Sequence, residues 1–317
     1  MRLTPILIPI LIVALLAAGC TTTKDTTPRK LTDYVGGLDG LSITFEEEAP
    51  PDEVFDNGET PFSIAVQLKN EGEYTIKSGG IIASLSGINQ NDFSLASLHK
   101  KSNFDLDRKY SDRIGATDVI EFGESKYKID LSSDFTTKII ADVCYNYRTV
   151  AATSICLKKD TKQYKTADAC AINNDKITFE NSGAPLQITN VVESASGANR
   201  IKLDFTIENK KPTESFYKPG TFKDKCVPSS DEARKGEDTV YIEVTDSAKR
   251  LNFKCSALGD DNKGETKLFD DKKQVSCTLD TNSLQDTAFE QLVDITVDYM
   301  YRGAVSKGIT IKNAQIY

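Results

Sequence analysis

The residues best placed to do chemistry in this 317-residue chain are its seven cysteines. Cys144, Cys156, Cys170, Cys226, Cys255 and Cys277 make an even set, which in an exported chain favours three disulfides. Separations such as Cys144 to Cys156 and Cys255 to Cys277 lack the close ligand pairs of a zinc site. Catalytic residues are scarce. The single histidine, His99, lies in the polar stretch NDFSLASLHKKSN and is expected in an exposed loop or short helix. No P-loop, dinucleotide fingerprint or nucleophile elbow is present. The expectation is a chain that is not an enzyme and carries no cofactor and no metal.

Two acidic runs have the composition of cation sites. Asp260, Asp261, Asn262 and Glu265 cluster in GDDNKGE, but the glycine and closing glutamate of a calcium loop do not fall into place counting from Asp260, so a solvated hairpin tip is expected. Glu46 to Glu48, followed by Ala49, Pro50 and Pro51, read as a charged strand exit.

The seventh cysteine, Cys20, closes the run MRLTPILIPILIVALLAAGC, in which Arg2 precedes an apolar stretch and small residues lead up to the cysteine. The stretch falls short of the roughly 20 residues that cross a bilayer, and Pro5 and Pro9 weaken it as a permanent helix. It resembles the lipoprotein signals of bacteria and archaea, apart from having Ala17 where that family usually has Leu. The resemblance implies removal of residues 1–19, a lipid on Cys20 and attachment to a membrane through it. Ordinary cleavage and an uncleaved anchor are the alternatives. Localisation is accordingly expected to be extracytoplasmic, at the cell membrane or cell surface.

With a formal net charge of −8, nothing invites nucleic acid. Residues 20–37, from the lipid-attachment cysteine through Thr21 to Gly37, have no apolar period and read as a flexible linker. Beyond them period-two segments dominate: LSITF at Leu41 to Phe45, FSIAVQL at Phe62 to Leu68 and YKIDL at Tyr127 to Leu131. Any helix is expected to be short, near Leu95.

An internal repeat joins the two halves. Cys144 to Lys158 aligns without a gap on Asp298 to Lys312, matching Tyr145, Tyr147 and Arg148 with Tyr299, Tyr301 and Arg302. Upstream, Ser63 to Asn70 parallels Lys202 to Asn209, LSITF parallels LQITN at Leu186 to Asn190, and YKIDL parallels VSCTL at Val275 to Leu279. The expected fold class is all-β, with two tandem immunoglobulin-like β-sandwich domains at residues 38–160 and 161–317.

Each copy of the aligned run reads as a terminal β-hairpin. Alternation puts Tyr145 and Tyr147 on one side with Ile139, Ala141 and Val143, and Tyr299 and Tyr301 on one side with Val293, Ile295 and Val297, so these tyrosines are expected in the core. Cys144, Cys156, Arg148 and Arg302 fall on the outer face. A turn at Val150 would set Cys144 opposite Cys156. A second hairpin, through GDDNKGETK, would join Cys255 to Cys277, which leaves Cys170 for Cys226.

PFSIAVQLKNEGEYTI at Pro61 to Ile76 and IKLDFTIENK at Ile201 to Lys210, with the Cys-Tyr-x-Tyr run, resemble the tandem Ig-like modules of archaeal surface proteins, including the CARDB adhesion-type modules. The resemblance implies a β-sandwich used for adhesion, spacing or assembly and carries over no catalytic residue. The reading is thus a lipid-anchored structural, adhesion or binding module with a surface protein or glycan as partner. A subunit of a surface filament or layer, self-associating through strand edges, and a noncatalytic accessory chain of an envelope enzyme or transporter are the rivals.

Overall fold

A computed structural model describes residues 31–315 apart from Glu59, Tyr164, Thr166 and Ala167. The leader, Cys20 and the linker residues up to Lys30 lie outside the described residues. From Leu31 onward the chain clusters as one unit.

The first half forms β1 (Leu41–Phe45), β2 (Glu53–Phe55), β3 (Phe62–Asn70), β4 (Ile81–Ser86), β5 (His99–Lys101), β6 (Thr117–Ser125) and β7 (Phe135–Leu157). The second forms β8 (Phe179–Asn181), β9 (Leu186–Ala195), β10 (Arg200–Asn209), β11 (Ser215–Tyr217), helix α1 (Asp231–Gly236), β12 (Thr239–Asp246), β13 (Lys254–Cys255), β14 (Lys263–Lys267), β15 (Lys272–Asp280) and β16 (Phe289–Lys312). The fold class is all-β, with several antiparallel sheets. A central sheet runs β14-β12-β16-β7-β4-β5, with β2 and β11 also on β16 and β8 on β7. The smaller sheets β1-β3-β6 and β9-β10-β15-β13 complete the fold.

The expected hairpins do not exist. All 23 residues of β7 pair antiparallel with β16, from Phe135 beside Ile311 to Leu157 beside Phe289, a ladder of up to about 75 Å. Arg148, Thr149, Val150 and Ala151 include β-branched residues and no Gly, Asn or Pro, so the chain has no turn chemistry there and runs on as strand. In the second copy Gly303 looks like a turn residue but serves a close approach. A Cβ at that position would sit 2.6 Å from Ile43 Cδ1.

This ladder pairs the repeat with itself. Tyr145 faces Tyr301, Tyr147 faces Tyr299, and at the centre Asn146 faces Met300, the residue aligned with it. A local two-fold axis therefore relates the copies. β4 and β12 occupy equivalent places, Ile82 beside Cys144 and Tyr241 beside Asp298, and each carries an outer strand, β5 or β14.

The inward parity of the tyrosines is as expected: Tyr145, Tyr147, Tyr299 and Tyr301 are all at most 1% exposed. Their rings close a tetrad, with centroids 5.7 Å apart for Tyr145–Tyr147, 5.9 Å for Tyr145–Tyr301, 6.3 Å for Tyr147–Tyr299 and 6.0 Å for Tyr299–Tyr301. Offset and edge contacts of this kind add to the area the rings bury. Each hydroxyl reaches a smaller sheet. Tyr145 Oη accepts from the Leu41 N–H at 3.2 Å and Tyr299 Oη from the Leu186 N–H at 3.4 Å, the leucines that open β1 and β9.

Several other expectations change. YKIDL is not a strand. β6 pairs with β3 where β15 pairs with β10, so the counterpart of Cys277 lies in β6 rather than at Ile129, which is 44% exposed. No helix forms near Leu95, where successive turns include the Leu95 N–H to Gln90 carbonyl bond. GDDNKGETK is no hairpin loop, because Lys263–Lys267 forms β14 and pairs with β12.

All six cysteines among the described residues are bonded, in an order that corrects two of the three expected pairs. Cys255 joins Cys277, directly across the β13–β15 ladder. Cys144 joins Cys226, and Cys156 joins Cys170, with Cα separations of 5.5 and 5.8 Å. With β7 unbroken, Cys144 and Cys156 stand about 40 Å apart along one strand, far beyond a disulfide's reach. They share one side of the unbroken strand, but each meets a different segment: Cys144 is buried in the small cluster under Cys226, whereas Cys156 belongs to the main core rather than to an outer face.

Candidate functional site

The outer face of the β7–β16 ladder carries charge where the inner face carries tyrosine. Arg148 faces Asp298 across the ladder and binds it through two nitrogens, Nε to Oδ1 at 2.6 Å and Nη2 to Oδ2 at 2.9 Å. Two-point contact of this kind fixes the carboxylate's orientation as well as its charge. The axis would give Arg302 the residue at 144, which is cysteine. Arg302 turns to Asp142 instead, with Nε 2.9 Å from Oδ1.

The segment after β11 lies over this face. Tyr217 and Phe222 pack edge to face at 4.9 Å, and the Cys144–Cys226 disulfide fixes the segment to β7. Ile82, Cys144 and Met300 from the sheet join Tyr217, Phe222, Cys226 and Ala233 from the cover in a buried apolar cluster, separate from the main core. Lys101 on β5 meets Asp224 of the cover at 2.8 Å. Lys218–Thr221 turns sharply: Pro219 and Gly220 take the central positions, Gly220 has φ +77°, and the Thr221 N–H donates to the Lys218 carbonyl at 3.1 Å. A positive φ at the residue after proline is what a type II turn demands and glycine supplies. Ser230 then caps α1, its side chain accepting from the Ala233 N–H at 3.2 Å.

Beside the cover a groove of about 480 Å³ stays open across the seam of the two copies, lined by Tyr74, Asn146, Pro219, Tyr241, Glu265 and Asp298. Arg148 Cζ stands 5.8 Å from the Tyr74 ring centroid while it holds Asp298, and Lys218 Nζ meets Glu265 at 2.8 Å. Both groove carboxylates are therefore paired with a cation.

His99 is in strand β5, half-buried rather than in an exposed loop or helix. Its Nδ1 lies 2.9 Å from Ser84 Oγ, which also accepts from the Cys226 N–H at 2.8 Å. Burial lowers the imidazole pKa, aided by the charge of Lys225. Ser84 is flanked by His99 and Asp142, and all three line one cleft of about 300 Å³. The order differs from a nucleophilic triad, where the carboxylate binds the histidine's other nitrogen. Here Asp142 is taken by Arg302.

The other candidates disperse. Glu265 lies on β14 against Tyr241, whereas Asp260 and Asp261 lie in the turn ahead of it. Glu46–Glu48 form the turn that follows β1. Among the described residues no group of three or more His, Cys, Asp or Glu is placed to hold a metal ion. Cys20, the lipid-attachment candidate, lies outside the described residues. The sequence offered no direct signal for the groove, whose walls come from β12, β14 and the cover, although the outward parity of Asp298 was readable.

No protein-family model matches the chain, and no curated protein matches it. Among solved structures, envelope protein VP37 of White Spot Syndrome Virus is similar over 50% of this chain and 98% of its own, at 10% identity and a TM-score of 0.23. The secreted serine protease VesC of Vibrio cholerae is similar over 82% of this chain and 50% of its own, at 10% identity and a TM-score of 0.21. At these TM-scores neither likeness carries an argument about this chain.

Proposed function

We propose that this chain is an exported, lipid-anchored, noncatalytic binding or structural protein, built from two Ig-like β-modules fused edge to edge. The observation that carries the reading is that all six cysteines beyond Cys20 are bonded in three disulfides, as suits an oxidising compartment. A leader ending at Cys20 agrees with export and supplies the anchor. Fusion through the β7–β16 ladder supports a stiff body rather than hinged domains, since relative motion of the copies would break a continuous sheet.

Edge chemistry sets the filament reading behind this one. The outermost strands of the central sheet, β5 (HKK) and β14 (KGETK), carry lysines, a usual defence against strand addition.

The test is mass spectrometry of the mature N-terminus and thiol state of protein from native membranes. A lipid-modified Cys20 and no free thiol are expected. A free N-terminus beyond Cys20 would overturn the anchor, and six free thiols would overturn the oxidising compartment.

A further inference from the structure

The local two-fold axis allows an internal comparison, because the two copies present equivalent positions on the outer face that differ in kind. On one side stand Cys144, Met300 and Ile82; their equivalents on the other are Asp298, Asn146 and Tyr241. The first set is apolar and sealed by Tyr217, Phe222 and the Cys226 disulfide. The second set is polar and aromatic, and it remains an open groove of about 480 Å³. Lys101 and Glu265, likewise equivalent through their pairing with Ile82 and Tyr241, show the same divergence: Lys101 is tied to the cover by Asp224, while Glu265 lines the groove.

From this divergence we infer that the groove over Asn146, Tyr241 and Asp298 is a ligand site for a neutral saccharide. The inference rests on reading the chain as a noncatalytic binding protein and names the ligand class for it. Tyrosine rings at Tyr74 and Tyr241 supply amphipathic surfaces suited to the C–H faces of a pyranose. Asn146 adds a carboxamide that donates and accepts, while Asp298 and Glu265 are acceptors that suit hydroxyl groups. Charge decides against an ionic ligand. Arg148 already neutralises Asp298, and Lys218 already neutralises Glu265, so the lining is rich in hydrogen-bonding groups and poor in net charge. A few placed polar groups among apolar rings is the usual make-up of a small-ligand site. The cover has a second role here. Held by Cys144–Cys226, it sets Pro219 as one wall of the groove.

The test uses the full chain, purified with its disulfides intact, against an immobilised panel of neutral gluco-, manno-, galacto- and N-acetylglucosamine oligosaccharides, uronic-acid oligosaccharides and a peptide library. Calorimetry of any hit follows, with chromatography of the saccharide afterwards. Retention of a neutral oligosaccharide is expected, weakened about tenfold or more by Tyr241→Ala. Tyr74→Ala gives a second arm, and Phe135→Ala, at the exposed start of β7 and far along that strand from Asn146, should leave binding unchanged. Thermal unfolding of each variant separates lost binding from lost fold. The inference is overturned by no neutral saccharide binding at millimolar concentration, by binding that folded Tyr241→Ala and Tyr74→Ala variants retain, or by retention of peptides or uronic acids alone. Cleavage of a bound oligosaccharide would sink the noncatalytic reading and leave the site standing.

Discussion

Tyr147 donates its hydroxyl to Asn70 Oδ1 at 3.1 Å, and the repeat reproduces the bond between Tyr301 and Asn209 at 3.3 Å. In both copies the asparagine Oδ1 also accepts from the backbone N–H two residues on, Gly72 or Lys211, at 3.2 and 3.1 Å. Each asparagine therefore ends its strand, shapes the following turn and ties its smaller sheet to the tyrosine tetrad.

The two asparagines should not be equally costly to remove. Asn70 Nδ2 also serves the carbonyls of Tyr74 and Leu106, and its loss leaves buried partners unpaired. Asn209 Nδ2 instead reaches the half-buried Asp271 carboxylate at 2.9 Å and, at 3.4 Å, the half-buried Glu214 carbonyl, both of which water can still reach. Denaturant unfolding should show Asn70→Ala destabilised by about 3 kcal/mol and Asn209→Ala by about half as much. Equal losses would contradict this account of the turn.

How much of this was legible varies from element to element, and the dividing line is physical. Parity along β7 and β16 is a local property, so the sequence puts the tyrosines inward and Cys144 on the opposite side, whereas Cys156, of the same parity, is in the main core because further segments cover that end of the strand. The expected hairpin with its turn at Val150 is absent because the residues there continue as strand, and the glycine of the second copy, Gly303, has its reason at Ile43 in a different sheet. The Cys144–Cys226 bond spans 82 residues and depends on a cover whose apolar residues, Tyr217 and Phe222, show no period. The groove was illegible for the same reason, since Tyr74, Pro219, Tyr241 and Asp298 meet only once the ladder and cover are in place.

Peptide mapping without reduction should recover Cys144 with Cys226, Cys156 with Cys170 and Cys255 with Cys277. Finding Cys144 joined to Cys156 would restore the hairpin and refute the unbroken ladder. The double variant Cys144→Ser/Cys226→Ser should lose about 2–4 kcal/mol and become sensitive to protease within residues 217–236, since the cover would be held only by its apolar cluster and by noncovalent contacts such as Lys101–Asp224.

Glu193 should make stability fall as pH rises through neutrality. Its side chain accepts from the Cys156 N–H at 2.8 Å, yet burial dominates and pushes its pKa up to about 7. The native state therefore keeps a proton that the unfolded chain releases near its ordinary value of about 4.3. The favourable contribution is complete below that value and is lost as pH climbs through 7. Glu193→Gln keeps the acceptor without the charge. Denaturant titrations should show the variant gaining on the parent between pH 5 and 8, by up to about 3 kcal/mol. Parallel pH profiles for the two proteins would exclude Glu193 as the source.

Two glycines separate backbone crowding from side-chain crowding. A Cβ on Gly72 would overlap the Tyr147 hydroxyl and the Asp39 carbonyl and lie 2.7 Å from the Gly183 carbonyl, and the two carbonyls cannot swing away. On Gly303 the obstacle is the tip of Ile43, at 2.6 Å, which a rotamer change or a shorter side chain removes. Gly72→Ala should therefore cost at least about 3 kcal/mol, through overpacking and loss of the Tyr147–Asn70 bond. Gly303→Ala should cost about 1 kcal/mol, and a double-mutant cycle with Ile43→Val should return most of it. Additive effects of Gly303→Ala and Ile43→Val would mean that the β16–β1 approach is looser than the structure shows, and that Gly303 answers to something other than Ile43.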